Sequence, residues 1–206
     1  MNKELSLVLL SKLSGLTYLD HTSGLVQVFE KTIPIDGDSQ FTVKKRIPVT
    51  SFATNIECNT SMDQVAMIPD SRYATLLYFE DGGITATVAV RGGIGYESRL
   101  RIVCWMNTNM ITGNSDMLLS SKAINDILEK LITGPFNSPP FTRIIVSVAS
   151  IPAQDRSIFS PYDYSESETQ YLMPPFEFFA IDLNIKFVIP FACSPGITVA
   201  QSNQCL

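Results

Sequence analysis

Residues 177–191 read EFFAIDLNIKFVIPF. Phe179, Ile181, Leu183, Ile185, Phe187, Ile189 and Phe191 fill every odd position, with Ala180, Asp182, Asn184 and Lys186 between them. Side chains of a strand alternate between its two faces, so this run predicts a long β-strand with one face buried along its whole length. Pro190 suits the strand's end or an edge, because it has no N–H to give to a ladder. A strand this long needs neighbours, and the rest of the chain supplies them.

Working outward, FTRIIVSVAS (141–150) predicts an adjacent strand. Tyr96–Met106 predicts another, with Leu100, Ile102, Cys104 and Met106 on one face and Arg99, Arg101, Val103 and Trp105 on the other. Between them lie a loop, Asn107–Leu119, and a helix over 121–133. That helix has Ser120 or Ser121 placed to cap it, Ile124, Ile127, Leu128 and Leu131 as its apolar stripe, and Gly134-Pro135 to end it. Further upstream, 74–80 and 84–90 flank Asp81-Gly82-Gly83 and read as a hairpin, followed by a flexible corner at Gly92, Gly93 and Gly95. Residues 25–31 and 41–47 read as a first hairpin around the turn signal Ile35-Asp36-Gly37-Asp38-Ser39. Residues 2–15 predict a short helix capped by Asn2, whose stripe of Leu5, Val8, Leu9, Leu13 and Leu16 is narrow enough to require a larger surface beneath it. Residues 51–64 are polar and irregular. The sum is an α+β fold: a mostly antiparallel sheet with an N-terminal helix and a second helix packed on one face. One domain is expected over 1–193, followed by a tail, 194–206.

Composition narrows the function. The chain has 206 residues, of which 45% are hydrophobic and 17% charged, which suits a packed core and excludes global disorder. Its net charge of −5 argues against a phosphate-gripping surface, although DNA could slide past such a wall without sticking. Cys58, Cys104, Cys193 and Cys205 show no zinc spacing and are expected to be reduced, with Cys104 as a small buried hydrophobe. Lys12 interrupts the apolar N-terminal run too early for a signal peptide, and no stretch has the length of a membrane-spanning helix, so the chain is expected to stay in the cytoplasm. A serine triad would have to use His21 beside Asp20, in ordinary turn chemistry. Asp36–Ser39 lacks the later ligands of a calcium loop, and Arg91–Gly95 precedes a strand where a phosphate loop would open a helix. Glu80 and Asp81 are adjacent at a turn and do not oppose each other across a cleft. No catalytic residue, cofactor or metal is therefore predicted, and assembly is favoured over catalysis.

Two surfaces are candidates for that assembly. The connection 151–175 holds Phe159, Tyr162, Tyr164, Tyr171 and Met173, with Asp155, Asp163, Glu166 and Glu168 against Arg156 alone. A long aromatic, acidic connection predicts an arm that packs on a neighbouring subunit. A self-packed loop or a mobile solvent loop are the alternatives. On the arm reading, deleting 157–172 leaves the domain folded and abolishes assembly. The second surface is Lys44, Lys45 and Arg46, either charges that protect an edge strand or a docking patch for an acidic neighbour.

The order of elements from Tyr96 onward, a long strand, a capped helix, then two antiparallel strands after a leading helix and hairpins, resembles the tail-terminator and neck proteins of tailed bacteriophages. Composition and the aromatic connection are also similar to the neck ring proteins of crAss-like phages of gut Bacteroidota. The likeness covers residues 1–20 and 96–191 and includes no diagnostic motif. The hairpins and the long connection depart from it. What it implies is a structural virion protein, assembled in the bacterial host cytoplasm. It would close with copies of itself into a ring of six or twelve, contact the portal and other neck or tail proteins, and let genomic DNA pass without specific binding. A tail hub or baseplate subunit, or a small-ligand module with 151–175 as a lid, are the rival expectations.

Overall fold

The 177–191 alternation becomes the central strand of the molecule. In the computed structural model, which describes residues 1–35, 38–50, 65–90, 92–113, 119–163 and 169–191, this strand is β8 (Phe176–Pro190). It pairs antiparallel with β5 (Gly93–Asn107) on one side and β7 (Phe141–Ser150) on the other. The remaining strands are β1 (His21–Ile35), β2 (Asp38–Thr50), β3 (Val65–Ala66), β4 (Thr75–Val90) and β6 (Phe136–Ser138). Together they form one sheet in the order β3-β2-β1-β4-β5-β8-β7-β6. Every pairing is antiparallel except β1 with β4, which is parallel and short: His21↔Leu76, Thr22↔Leu77 and Leu25↔Phe79.

Helices α1 (Asn2–Leu13) and α3 (Leu119–Leu131) pack on one face of this sheet, as the α+β reading requires. Leu5, Leu9 and Leu13 of α1 meet Ala123, Ile127 and Leu131 of α3 over Phe179, Ile181, Leu183, Ile185 and Phe187 of β8. The odd positions of the deciding stretch therefore face the helices. Cys104 lies in the same layer, and burial pushes its thiol well above the ordinary value. A five-residue helix, α2 (Thr108–Thr112), opens the expected loop after β5. Among the described residues no helix is long and apolar enough to cross a membrane.

Three local expectations are corrected. First, Asp81-Gly82-Gly83 is not a hairpin turn. β4 runs through it from Thr75 to Val90, with the register slipping between Asp81 and Ile84, and pairs along its length with β5. The chain reverses between Val90 and Gly93, where Gly92 has φ +89°, and Gly93 begins a strand. Gly83, with φ +95° and its N–H bonded to the Asp81 carboxylate at 2.7 Å, makes a bulge in mid-strand. Turn and bulge call for the same residues, and only pairing with a partner strand tells them apart. Second, Asn2 is the first helical residue and does not cap α1; its side chain donates to Asp81 (2.7 Å) and accepts from Ser98 (2.8 Å), tying the helix to the sheet. Third, the first N–H groups of α3 are held by Glu177 of β8, which accepts from Leu119 (3.3 Å) and Ser120 (2.6 Å). A carboxylate there also meets the positive end of the helix dipole. The turn residues 36–37, the 51–64 segment and the 192–206 tail, with Cys58, Cys193 and Cys205, lie outside the described residues.

Candidate functional site

The second face of the sheet decides what the surface can do. The first half of β4, the second half of β5 and the start of β8 present Leu76, Tyr78, Val103, Trp105, Phe178 and Ala180 to the side away from the helices. This apolar half-face has to be covered, and the described parts of 151–175 cover it. Ile158, Phe159, Tyr162 and Leu172 are buried there, with Phe159 3% and Tyr162 6% exposed. Phe159 meets Phe178 edge-on at 5.4 Å, and Tyr171 meets Trp105 edge-on at 6.3 Å. The Trp105 indole N–H donates to the Tyr171 carbonyl at 2.6 Å. Residues 152–154 continue the pairing with β8 where β7 stops, through Gln154 N–H to Phe178 C=O (2.9 Å) and Ala180 N–H to Pro152 C=O (2.8 Å).

The projecting-arm expectation is thus corrected for the described residues: the connection packs on its own sheet. Of its five aromatic and methionine candidates, Phe159 and Tyr162 are core residues, Tyr171 is half-buried, Met173 is exposed, and Tyr164 lies outside the described residues. The physical reason is the apolar half-face itself. Water would otherwise touch Trp105, Tyr78 and Phe178, three of the largest fully buried side chains of the molecule.

The basic cluster is also partly spoken for. Arg46 of β2 and Asp163 lock together through Arg46 N–H (3.0 Å), Nε (3.1 Å) and a terminal guanidinium nitrogen (3.1 Å), and Asp163 N–H returns to the Arg46 carbonyl at 2.9 Å. These bonds from Arg46 hold the Asp163 carboxyl below its ordinary range. The acidic partner expected from a neighbour is therefore, for Arg46, the chain's own connection. Lys45 is half-buried; Lys44 lies on β2 with its side chain outside those described.

What stays open is a fork. β1 and β4 are paired only as far as Leu25 and Phe79. Beyond that point β1 leaves with β2 as a two-stranded ribbon, from Val26↔Thr50 to Ile33↔Val43, while β4 stays in the main sheet, paired from Ile84↔Ser98 to Val90↔Gly93 with β5, which is paired in turn with β8 over the same length. Gln27–Glu30 on the ribbon are exposed, including Val28 (54%) and Phe29 (43%). Along β4, every described side chain from Asp81 to Val90 is exposed. The base of the fork is an open cleft of ≈420 Å³ lined by Leu25, Val26, Glu80, Asp81, Pro161 and Tyr162.

Beside it, the second half of the uncovered sheet face is polar. Arg101 of β5 reaches Asp182 of β8 (2.6 and 3.4 Å), and Ser150 donates a short hydrogen bond to the same carboxylate. Burial pushes the Asp182 carboxyl up, but the bonds from Arg101 and Ser150 outweigh it and leave it low. Glu80 is the opposite case. Burial raises its carboxyl above the ordinary value, although the Tyr162 hydroxyl donates a short bond to it. Glu80, Arg101 and Asp182 line a cleft of ≈430 Å³ with Arg99 and Asn184. The even positions of 177–191 and the Arg99, Arg101 pair were the signal for this polar half. The Tyr162–Glu80 contact, 82 residues apart, had none.

Asp20 and His21 are turned to different partners. Both Asp20 oxygens accept backbone N–H groups, from Ala74 and Thr75 at 2.8 Å each, and His21 stacks on Tyr73 with ring centres 4.1 Å apart. Among the described residues no three His, Cys, Asp or Glu side chains are grouped to hold a metal ion. No protein-family model and no curated protein sequence matches the chain.

Proposed function

We propose that the chain is a structural virion subunit that closes with copies of itself into a ring at the neck of a tailed phage, between portal and tail. The observation that carries this reading is the fork. The β1–β2 ribbon leaves the sheet after Leu25 and uncovers the β4 edge beside it, and Gln27–Glu30 on the one and the described side chains of Asp81–Val90 on the other are exposed, Val28, Phe29, Ile84 and Val90 among them. A two-stranded ribbon is marginal by itself, so the β1–β2 ribbon is stabilised by docking on something else. A closed ring uses two different patches on each subunit, one for each neighbour, and the β1–β2 ribbon and the β4 edge are two unlike patches of that kind. The sheet with α1 and α3 on one face agrees with the element order of the neck and tail-terminator group. An acidic chain suits a channel wall that repels DNA phosphates and lets the genome pass.

Assembly under this reading rests on the β1–β2 ribbon, the β4 edge, Met173 and the polar half-face, and the described parts of 151–175 act as an internal cover. Immunogold labelling of particles with antibody to the full chain tests it. Label at the head–tail junction is expected. Label at the distal tail end would favour a hub or baseplate subunit, and particles without label would remove the virion reading.

A further inference from the structure

We infer that the outer edge of β4, Ile84–Val90, is a pairing site for the C-terminal run Gly196–Ala200 of a second copy of the chain, an inference that deepens the ring reading and rests on it. The inner edge of this stretch is bonded to β5 from Ile84↔Ser98 to Val90↔Gly93. The parallel neighbour β1 leaves it at Phe79, and no described strand pairs with its outer edge. A strand edge with unpaired N–H and C=O groups is a template for another strand, and proteins guard such edges with lysine, proline or inward charge. Ile84-Thr85-Ala86-Thr87-Val88-Ala89-Val90 contains none of these. The other long edge, β2, does carry them in Lys44, Lys45 and Arg46. A register slip between Ala86 and Ala89 divides the β4 edge, so only a short incoming strand fits it.

The donor follows from where the described chain stops. β8 ends beside the β4–β5 turn: Pro190 pairs with Gly93, and the Phe191 N–H donates to the Gly92 carbonyl at 3.0 Å. β8 and β4 are both antiparallel to β5, so they run the same way and both end at the tip of that hairpin. Fifteen residues follow, 192–206, none of them charged. At about 3.3 Å per residue they can reach on the order of 50 Å. Within them Gly196-Ile197-Thr198-Val199-Ala200 has the same neutral, β-branched make-up as the edge it would join. In the order β4-β5-β8 the chain's own tail starts on the far side of β5 from this edge and would have to cross the hairpin tip to reach it, whereas the tail of a neighbour can come to it from outside. Donor and acceptor are different patches, so repeating the contact generates a ring.

The test uses two full-length chains in which Cys58, Cys193 and Cys205 are serine and Cys104 is kept. One chain carries Thr85→Cys, the other Thr198→Cys, with Val199→Cys covering the alternative register. On mixing and mild oxidation, a disulfide joining the two different chains is expected, and it is lost when 196–200 is replaced by Gly and Ser. Crosslinking only within a chain that carries both cysteines would overturn the second copy as donor. Thr85→Cys chains joined to each other would overturn the tail as occupant. A ring of normal mass with no crosslink would sink the edge pairing and leave the ring reading standing, whereas a strict monomer would sink both.

Discussion

Truncating Phe159 to alanine separates a covered core from an arm. Its side chain is 3% exposed and packs edge-on against Phe178 at 5.4 Å, in a cluster with Val26, Leu76, Tyr78, Val103 and Trp105. Removing a buried phenylalanine forfeits its transfer free energy and leaves a cavity, which together cost about 3–5 kcal/mol. The aromatic pair with Phe178 accounts for roughly 0.5–1.5 kcal/mol of that. Domains are stable by only about 5–15 kcal/mol, so the loss is large. At roughly 2–4 °C per kcal/mol for a chain of this size, the melting temperature falls by about 6–20 °C. Trp105 is the chain's one tryptophan, is fully buried, and sits in the same cluster, so its fluorescence reports the event directly. The assay is urea denaturation followed by Trp105 emission and by far-UV circular dichroism on the same samples. A Phe159→Ala chain that loses less than about 0.5 kcal/mol, with unchanged tryptophan emission, behaves like a surface variant and refutes the covering role of the connection. By the same argument, deleting 157–172 uncovers Trp105 and Phe178 and yields a destabilised chain, contrary to the arm expectation.

Three further outcomes follow from the geometry. Glu80→Gln is expected to raise stability at neutral pH. Burial raises the folded-state carboxyl, so the wild-type side chain favours folding when protonated and loses that contribution as pH rises through its folded pKa. The advantage of the variant should therefore close as pH falls toward the ordinary value of 4.5, and a gain independent of pH would contradict it. Gly93→Ala places a Cβ 2.5 Å from the Ile189 carbonyl oxygen and should cost about 1–3 kcal/mol in denaturant, whereas Gly15→Ala, with nothing within 4 Å, should be near neutral. Glu177→Ala removes the cap on the first N–H groups of α3 and should cost on the order of 1 kcal/mol, read as a lower melting temperature.

The parts of the fold that were legible in the sequence are those where a single physical pattern runs unbroken. Phe179, Ile181, Leu183, Ile185 and Phe187 are buried under the helices because one face meets one layer over that length, and the burial fades at half-buried Ile189 and exposed Phe191. The apolar stripe of α3 and the 141–150 strand are legible for the same reason. The course of β4 was not, because Asp81-Gly82-Gly83 satisfies a turn and a bulge equally well; the decision lies in the fifteen residues of β5 that pair with it. The connection 151–175 was misjudged because an aromatic loop has the same composition whether it covers its own sheet or a neighbour's. The clue was present in Val103, Trp105, Phe178 and Ala180, apolar residues on the face away from the helices with nothing yet assigned to cover them. Arg46 and Asp163 are 117 residues apart, and only the folded sheet brings them together.

The mass of the full-length chain in solution, measured by native mass spectrometry across a concentration series, tests the assembly account most directly. A closed species of six or twelve subunits, with no open ladder of intermediates, is what a ring built from two unlike patches requires. A chain that stays at 22.8 kDa at every concentration, alone and with the portal it is proposed to meet, would contradict it.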